Sequence, residues 1–489
     1  MTLAEDRVSA TSPVGIKSFG AYLPARRMSR AAIAEAHAWA FPSLKSLGKG
    51  EKAICGWDED VITMAVEAGR DCLRGMRPDA VGSLDLASTT APYADLQNAV
   101  IAGFALRLPR EIAAADHAGS TRAGLAAVAR ACRDGSRGQR LVIAADKRSA
   151  KPGSAQEFVY GSGAGALLIG SESDDLIARF MDSEAVSVPF VDHFRHEGEK
   201  FDYFWEERWI RDEGVSKIVP GAVAALLKRV GIAADRVKHF GLAGGPAGSD
   251  KLVAKTLGIA IESVLPDLQG QAGDAGTAQS VLLLIEALER AQPGEIIVVG
   301  SFAQGCEVIA LEMLKKPAGP RHGLAGALGR RIAETAYLKM LSFDGHLELD
   351  WGMRSESDQK TPLTQYYRSA DQILGFVGGR CKQCGAVQFP RLPGCVNCGA
   401  LESQAPYPLA DEVGQVATFT ADWLQYSPSP PLYVGLVQFD VGARLLMEMV
   451  DVGPAGIDVG TRLEMRFRIK ERDRLRHYDR YFWKASPSI

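Results

Sequence analysis

Long apolar runs are missing from this 489-residue sequence, and none approaches the about 20 residues that a membrane-spanning helix needs. An excess of positive charge is missing too, because 56 Lys and Arg residues face 59 Asp and Glu residues and leave a net charge of −3. The N-terminal segment also lacks the apolar core of a secretory signal. These absences argue against a membrane or nucleic acid as a partner, and we expect a cytoplasmic protein.

Cysteine is scarce, with eight residues in the chain, and it is unevenly placed. Four cysteines are widely scattered, and we interpret them as small core residues: Cys55, Cys72, Cys132 and Cys306. The other four fall between residues 381 and 398. Such a cluster is typical of a metal site rather than of a disulfide framework.

The order of apolar runs divides the chain into five predicted segments. Short strand patterns alternate with helical patterns in residues 13–172, and the alternation resumes at Val215. Residues 173–212 between them break the pattern with crowded aromatic residues and are interpreted as a lid, a dimer-contact insertion or an irregular surface excursion. Residues 13–172 and 173–314 are therefore predicted as two α/β halves, which suggests an internal duplication. Residues 315–370 are interpreted as a linker with helices, because their first part is rich in Pro and Gly. Residues 371–402 hold the cysteine cluster. Residues 403–489 contain five short β patterns, which predict a small all-β barrel of the OB-fold type.

The clustered cysteines have the spacing CxxC-x10-CxxC and are Cys381, Cys384, Cys395 and Cys398. Each CxxC pair places two thiolates on one side of a metal ion, and two pairs complete a tetrahedron. All four ligands come from the protein, so no position is left for a substrate. We therefore predict a structural zinc site, with an iron site of the rubredoxin type as the alternative.

The last 120 residues resemble the DUF35 family, in which a rubredoxin-like zinc ribbon is joined to an OB-fold. The resemblance rests on four stretches: Gly379–Gly385, Gln388–Arg391, Cys395–Gly399 and Gly414–Thr420. Modules of this family usually accompany thiolase-fold enzymes and help to hold coenzyme A thioesters.

The first 315 residues resemble the thiolase superfamily, nearest to the archaeal form of hydroxymethylglutaryl-CoA synthase. The matching stretches are Gly20–Pro24, Trp57–Asp60, Ala91–Tyr93, Gly119–Thr121, Ala144–Asp146, Gly161–Gly165, Gly273–Ala278 and Ser301–Gly305. The resemblance implies a five-layer αβαβα fold of two duplicated βαβ halves, an acyl-CoA thioester as partner, and a homodimer formed through the thiolase-like part.

The residues that this family uses for catalysis are all replaced here. Aligned by the motifs, its nucleophilic Cys falls on His117 and its acid/base Glu falls on Thr89. Its His falls on Gly244, and its Asn falls on Asp274. Cysteine is absent from the sequence between residues 72 and 132, so the usual acyl-cysteine intermediate is excluded at this place.

The replacement residues suggest acid–base chemistry without a nucleophile. The start of a helix disfavours a charged imidazole, so His117 is expected to be a neutral base, oriented by Asp274 across the fold. Thr89, Gly244, Gly305 and Tyr160 are expected to bind the substrate, as their positions in the resemblance imply. Other candidates are the bases His193 and His196, the proton donors Tyr93 and Tyr160, and the thiol of Cys306, which is more simply explained as a core residue.

We expect an enzyme that makes or breaks a carbon–carbon bond beside a CoA thioester. Retro-aldol cleavage, CoA-dependent retro-Claisen cleavage and decarboxylation all fit a base combined with backbone donors for the thioester oxygen. One alternative is a non-catalytic acyl-CoA-binding scaffold that supports a partner thiolase. Another is a nucleic-acid module, which the near-neutral charge disfavours.

Overall fold

The computed structural model describes residues 13–134, 138–171, 175–319, 321–352 and 360–488. Residues 353–359, which fall inside the predicted linker segment, are outside the described residues. Within the described residues, we find no helix that combines the length and the apolar character needed to cross a membrane.

The described residues of the first half form seven strands and five α-helices. In chain order they are β1 Gly15–Tyr22, β2 Arg26–Ser29, α1 Arg30–His37, β3 Glu51–Ala53, α2 Val61–Leu73, β4 Val81–Ala87, α3 Asn98–Ala105, β5 Ala113–His117, α4 Ala123–Asp134, β6 Gln139–Lys147, α5 Ala155–Val159 and β7 Ser162–Gly170.

The second half begins with a long strand and then inserts a short hairpin. Its elements are β8 Ala178–Ser187, β9 His193–Phe194, β10 Tyr203–Phe204, α6 Glu207–Trp209, α7 Ser216–Val230, β11 Val237–Ala243, α8 Ser249–Leu257, α9 Gln269–Ala272, α10 Gln279–Arg290, β12 Ile296–Phe302 and β13 Gly305–Met313.

Three groups of elements follow. The connecting elements are α11 Gly323–Gly329, β14 Ile332–Glu334, α12 Tyr337–Phe343, α13 Leu363–Arg368 and α14 Ala370–Ile373. The ribbon strands are β15 Val377–Cys381, β16 Val387–Gln388 and β17 Gln404–Pro408. The barrel strands are β18 Gly414–Asp422, β19 Leu432–Phe439, β20 Arg444–Met449, β21 Arg462–Asp473 and β22 Tyr478–Pro487.

The strand order of the main sheet shows the internal duplication. The order is β11-β12-β13-β8-β1-β7-β6-β4-β5. Counted outward from the centre of the sheet, β1 corresponds to β8, β7 to β13, β6 to β12 and β4 to β11. A single parallel bridge between Phe240 and Val264 stands where the second half would have its counterpart of β5. The two halves therefore share one topology.

Two buried helices form the central layer of the fold. Helices α4 and α10 contact each other, and each packs on strands of both halves. Most residues of α10 are buried, as its nearly continuous apolar sequence requires. Gly124 permits the close crossing, because a Cβ there would lie 2.4 Å from the Thr277 carbonyl oxygen. With α2 and α3 outside one half and α7 and α8 outside the other, the expected αβαβα layers are confirmed.

The C-terminal barrel is joined to the first half by buried polar contacts. The barrel closes in the order β18-β19-β20-β22-β21, as an OB-fold does. The Lys484 ammonium lies 3.0 Å from the Asp58 carboxylate, and the Tyr481 hydroxyl donates to Asp60 at 2.6 Å. Arg468, which is 0% exposed, lies 3.1 Å from Glu59.

Apolar side chains surround these polar contacts and form one core across the boundary. Core residues of α2 belong to the same buried cluster as barrel residues such as Phe467 and Trp483. The Glu67 carboxylate of α2 accepts from the Phe467 backbone N–H at 2.9 Å. Burial opposes its charge, yet Arg70 and Arg466 outweigh burial and lower the pKa of Glu67 to about 2. The barrel and the first half are therefore expected to unfold as one unit.

Replacing Arg468 by Met tests the contacts between the barrel and the first half. The change leaves Glu59 and Asp451 buried beside fewer cations, so we expect the free energy of unfolding to fall by about 3–5 kcal/mol in chemical denaturation. Arg444→Met is the matched control, because Arg444 is exposed on the same barrel and its loss should change stability by less than about 0.5 kcal/mol. Equal stabilities for the two variants would show that the buried pairs do not hold the barrel.

Candidate functional site

A cavity of about 400 Å³ lies where the loops of the two halves meet, and we call it the site pocket. Its walls come from the loops after β4 and β6, the turn Ala118–Thr121 before α4, the β12–β13 turn, and the hairpin β9–β10. The pocket thus lies at the C-terminal ends of parallel strands, where α/β sheets place their ligand sites.

The buried Asp146 carboxylate lies behind this pocket and is held by many hydrogen bonds. Asp146 is 0% exposed and accepts six hydrogen bonds, from Ser88, Thr89, Thr90 and Thr277. Thr277 precedes α10, whereas the other donors follow β4. One carboxylate therefore holds loops of both halves together.

Arg148 brings a buried positive charge to the pocket wall. Its guanidinium lies 3.0 Å from Asp274 and 3.2 Å from Asp202, and its carbon sits 3.3 Å from the centre of the Tyr160 ring. Burial opposes this charge, but the neighbouring carboxylates outweigh burial and raise the pKa of Arg148 above its ordinary value. Arg148 is thus a firmly held cation whose charge is already matched.

His193 has the geometry of a general base. Its Nδ1 lies 2.8 Å from the Asp192 carboxylate, and the ring lines the pocket. Gln304 donates to Asp192 and accepts from the Ser120 hydroxyl at 3.0 Å, which ties the hairpin to the turn before α4. A carboxylate on Nδ1 fixes the tautomer that leaves Nε2 free to take a proton. His196 is exposed and bonds to the Glu197 carbonyl.

Among the described residues, no hydrogen bond joins His117 to Asp274. His117 ends strand β5, and its Nε2 lies 2.6 Å from Asp85 on the neighbouring strand β4. Asp274 pairs with Arg148 and also accepts from the Gly276 N–H at 2.8 Å. Neither side chain is among the described residues that line the pocket. The catalytic role of this pair stays a prediction, and the two side chains have different partners in the structure.

The predicted substrate-binding residues have different positions. Thr89 lines the pocket and bonds to Asp146. Tyr160 lies behind Arg148, and burial raises the pKa of its hydroxyl. Gly244 and Gly305 have φ values of +82° and +119°, and a Cβ at either would meet a backbone carbonyl oxygen. The two glycines therefore shape the backbone, and neither is among the described residues of the pocket wall.

The four scattered cysteines are unsuited to nucleophilic chemistry. Burial raises the pKa of each thiol to about 12: Cys55, Cys72, Cys132 and Cys306. The pocket walls contain no cysteine among the described residues. Cys306 on β13 is 0% exposed, in agreement with its interpretation as a core thiol.

The clustered cysteines form a metal site in the ribbon. Their four sulfur atoms lie within 4.8 Å of one another, with 3.7 Å between Cys381 and Cys398 and 3.6 Å between Cys384 and Cys395. Zn–S bonds of about 2.3 Å in a tetrahedron separate sulfurs by about 3.8 Å, so the set fits zinc. A hydrogen bond with Ser403 lowers the pKa of Cys381 to about 6, which favours the ligating thiolate.

Two family descriptions match the C-terminal part of the chain. Residues 368–402 match the family described as ChsH2, rubredoxin-like zinc ribbon domain, and residues 407–468 match ChsH2, C-terminal OB-fold domain. Both agree with the ribbon and the closed barrel, so the predicted DUF35-like module and its zinc site are confirmed.

The larger part of the chain is similar to thiolase-fold proteins. A hydroxymethylglutaryl-CoA synthase of Aeropyrum pernix is 31% identical over 301 residues, which is 60% of this chain and 82% of that protein. Two solved structures each have a TM-score of 0.56: MvaS in complex with 3-hydroxy-3-methylglutaryl coenzyme A and the FabH synthase of Pseudomonas aeruginosa. The MvaS structure is 18% identical and covers 68% of this chain and 91% of its own. The FabH structure is 19% identical and covers 63% of this chain and 100% of its own. The predicted fold is confirmed.

Purified protein should contain about one zinc ion per chain. Cys384→Ser should lower the zinc content and loosen the ribbon, because metal binding supplies folding free energy there. Lys382→Ala is the control, since Lys382 is exposed between two ligands and its loss should leave the zinc content unchanged. Elemental analysis that finds iron would identify a rubredoxin-type centre, and the absence of both metals would contradict the site.

Proposed function

The chain belongs to the hydroxymethylglutaryl-CoA synthase family, and from that premise we propose that it makes or cleaves a carbon–carbon bond beside a CoA thioester without an acyl-cysteine intermediate. The observation that carries this proposal is the His193 ring, held by Asp192, in the wall of a pocket without a described cysteine. A base with a free Nε2 supports proton transfer, whereas no thiolate is placed to form a thioester.

Retro-aldol cleavage is the reaction that this arrangement suits best. Nε2 of His193 takes the proton of a β-hydroxyl group, and the Cα–Cβ bond breaks as the β-carbon becomes a carbonyl. The electron pair of that bond moves to the thioester oxygen as an enolate. The protonated His193 then returns its proton to Cα, so that an aldehyde or ketone and a shortened acyl-CoA are released. The reverse steps form the same bond.

The enolate needs hydrogen-bond donors, and the turn Ala118–Thr121 supplies them in this proposal. The turn lines the pocket and precedes the 12-residue helix α4, whose N-terminal end carries partial positive charge. Backbone N–H groups aimed at a developing oxyanion are among the strongest contributions to such catalysis.

A second candidate, the non-catalytic acyl-CoA-binding scaffold, is favoured by one observation. The resemblance places the family's His at Gly244, whose φ of +82° and close approach to the Phe302 carbonyl leave no room for a side chain. The backbone at this residue therefore does not suit the synthase chemistry that the resemblance implies. A scaffold would bind acyl-CoA esters without turning any of them over.

We also propose that the active form is a homodimer. Strand β5 is an edge of the main sheet, paired on one side with β4 in the described residues. An unpaired edge offers backbone donors and acceptors to a second strand, and a second copy would cover it.

Replacing His193 by Ala tests the assignment of the base. Loss of one positioned base should reduce turnover of β-hydroxyacyl-CoA esters by about 10²–10⁴-fold. Asp192→Asn should cost less, because it removes the orientation and charge support of the ring but not the ring itself. Steady-state kinetics with a panel of these esters measures both.

His196→Ala and His117→Ala complete the comparison. The exposed His196 is the matched control on the same hairpin connection and should leave turnover unchanged. If His117→Ala abolishes turnover while His193→Ala does not, the base is the residue that the sequence suggested. No turnover by the wild-type protein with any ester would favour the scaffold.

The reaction should also be insensitive to thiol alkylation. The scattered cysteines are buried and have raised pKa values, so a zinc-loaded protein treated with N-ethylmaleimide should keep its activity. Intact-mass analysis during turnover should show no acyl adduct. An acyl group on Cys306 would restore a cysteine mechanism and contradict the proposal.

A further inference from the structure

The charged side chains that line the site pocket are already paired with one another. Asp202 lies 3.2 Å from Arg148 and 3.7 Å from Arg195, and Asp274, behind the wall, lies 3.0 Å from Arg148. A further carboxylate would meet the like charge of Asp202 at this wall.

Both arginines already have partners. Arg148 has carboxylates on both sides and the Tyr160 ring against its face, and its side chain is 6% exposed. Arg195 donates to the Thr89 carbonyl and lies 3.7 Å from Asp202. Asp202 therefore lies beside both cations, and an incoming carboxylate would compete with it for them.

The rest of the pocket offers apolar surface at its mouth. Val191 and Phe194 line the pocket and are 45% and 52% exposed. The Phe194 ring lies 5.2 Å from that of Tyr203, which is also 52% exposed, so the hairpin presents an open aromatic surface. Exposed apolar surface beside a cavity is typical of a ligand-binding site.

We infer that the acyl group handled by this protein is apolar and carries no free carboxylate, a specificity that rests on the proposed function of the same pocket. The acyl chain lies against Val191 and Phe194, and Asp202 rejects a terminal carboxylate. This differs from the relatives' hydroxymethylglutaryl group, which ends in a carboxylic acid.

Hexanoyl-CoA and adipoyl-CoA form the matched pair of probes, because their six-carbon chains differ in a terminal methyl or carboxylate. Both lack a β-hydroxyl, so calorimetry measures binding to the full-length protein without retro-aldol turnover. We expect hexanoyl-CoA to bind at least about tenfold more tightly. Phe194→Ala should weaken hexanoyl-CoA by about fivefold or more and leave free CoA unchanged, since only the acyl chain contacts the ring.

Asp202→Asn tests the cause of the exclusion. Removing this charge also frees the two arginines, so the preference for hexanoyl-CoA should shrink by at least about threefold. Glu197→Gln is the matched control, because Glu197 is an exposed acid on the same insertion, and it should change neither affinity. Equal or tighter binding of adipoyl-CoA, or a preference unchanged in Asp202→Asn, would overturn the inference.

Failure of the proposed function gives a different pattern. Selective binding of hexanoyl-CoA without turnover of any β-hydroxyacyl-CoA would leave the specificity in place and make the protein a scaffold. Turnover of β-hydroxyacyl-CoA esters together with a preference for adipoyl-CoA would keep the function and overturn the specificity. Failure of both probes to bind would overturn both.

Discussion

Three consecutive buried carboxylates, Asp58, Glu59 and Asp60, determine how the barrel and the thiolase-like part meet. Each has its own partner on β21 or β22, so the three contacts are satisfied together in only one orientation. Buried ion pairs add little net stability compared with apolar contacts, but a missing partner is costly. The interface therefore fixes the orientation of the barrel on the thiolase-like part more than it adds to the free energy of unfolding.

This constraint reaches the pocket through helix α2. Asp60 caps the helix, and the body of α2 packs on β1, β7 and β6. Strand β6 carries Asp146 near its end, where the carboxylate fixes loops from both halves. The barrel thus supports the pocket at a distance, although the described pocket walls contain no barrel residue.

The sequence was sufficient for the parts with local signatures. The cysteine spacing predicted the ribbon, and the turn-bounded β patterns predicted the barrel strands, because both signals depend on neighbouring residues. Strand β8 was missed, since its half-exposed, charged sequence has no apolar run. The predicted role of His117 depended on where a strand ends, and the structure places its ring beside Asp85 at the edge of the sheet. His193 was only an alternative, because its Asp192 contact and its place in the pocket come from a hairpin that packs across the fold.

Gly244 has a consequence for how this family can change. A cysteine can be restored by one codon, but a histidine at residue 244 cannot be accommodated while the backbone keeps its left-handed φ and the Phe302 carbonyl its place. A side chain at this residue would need the ends of β11 and β12 to move apart together. A variant that restores the family's four residues in the sequence would therefore also have to rebuild the backbone around residue 244.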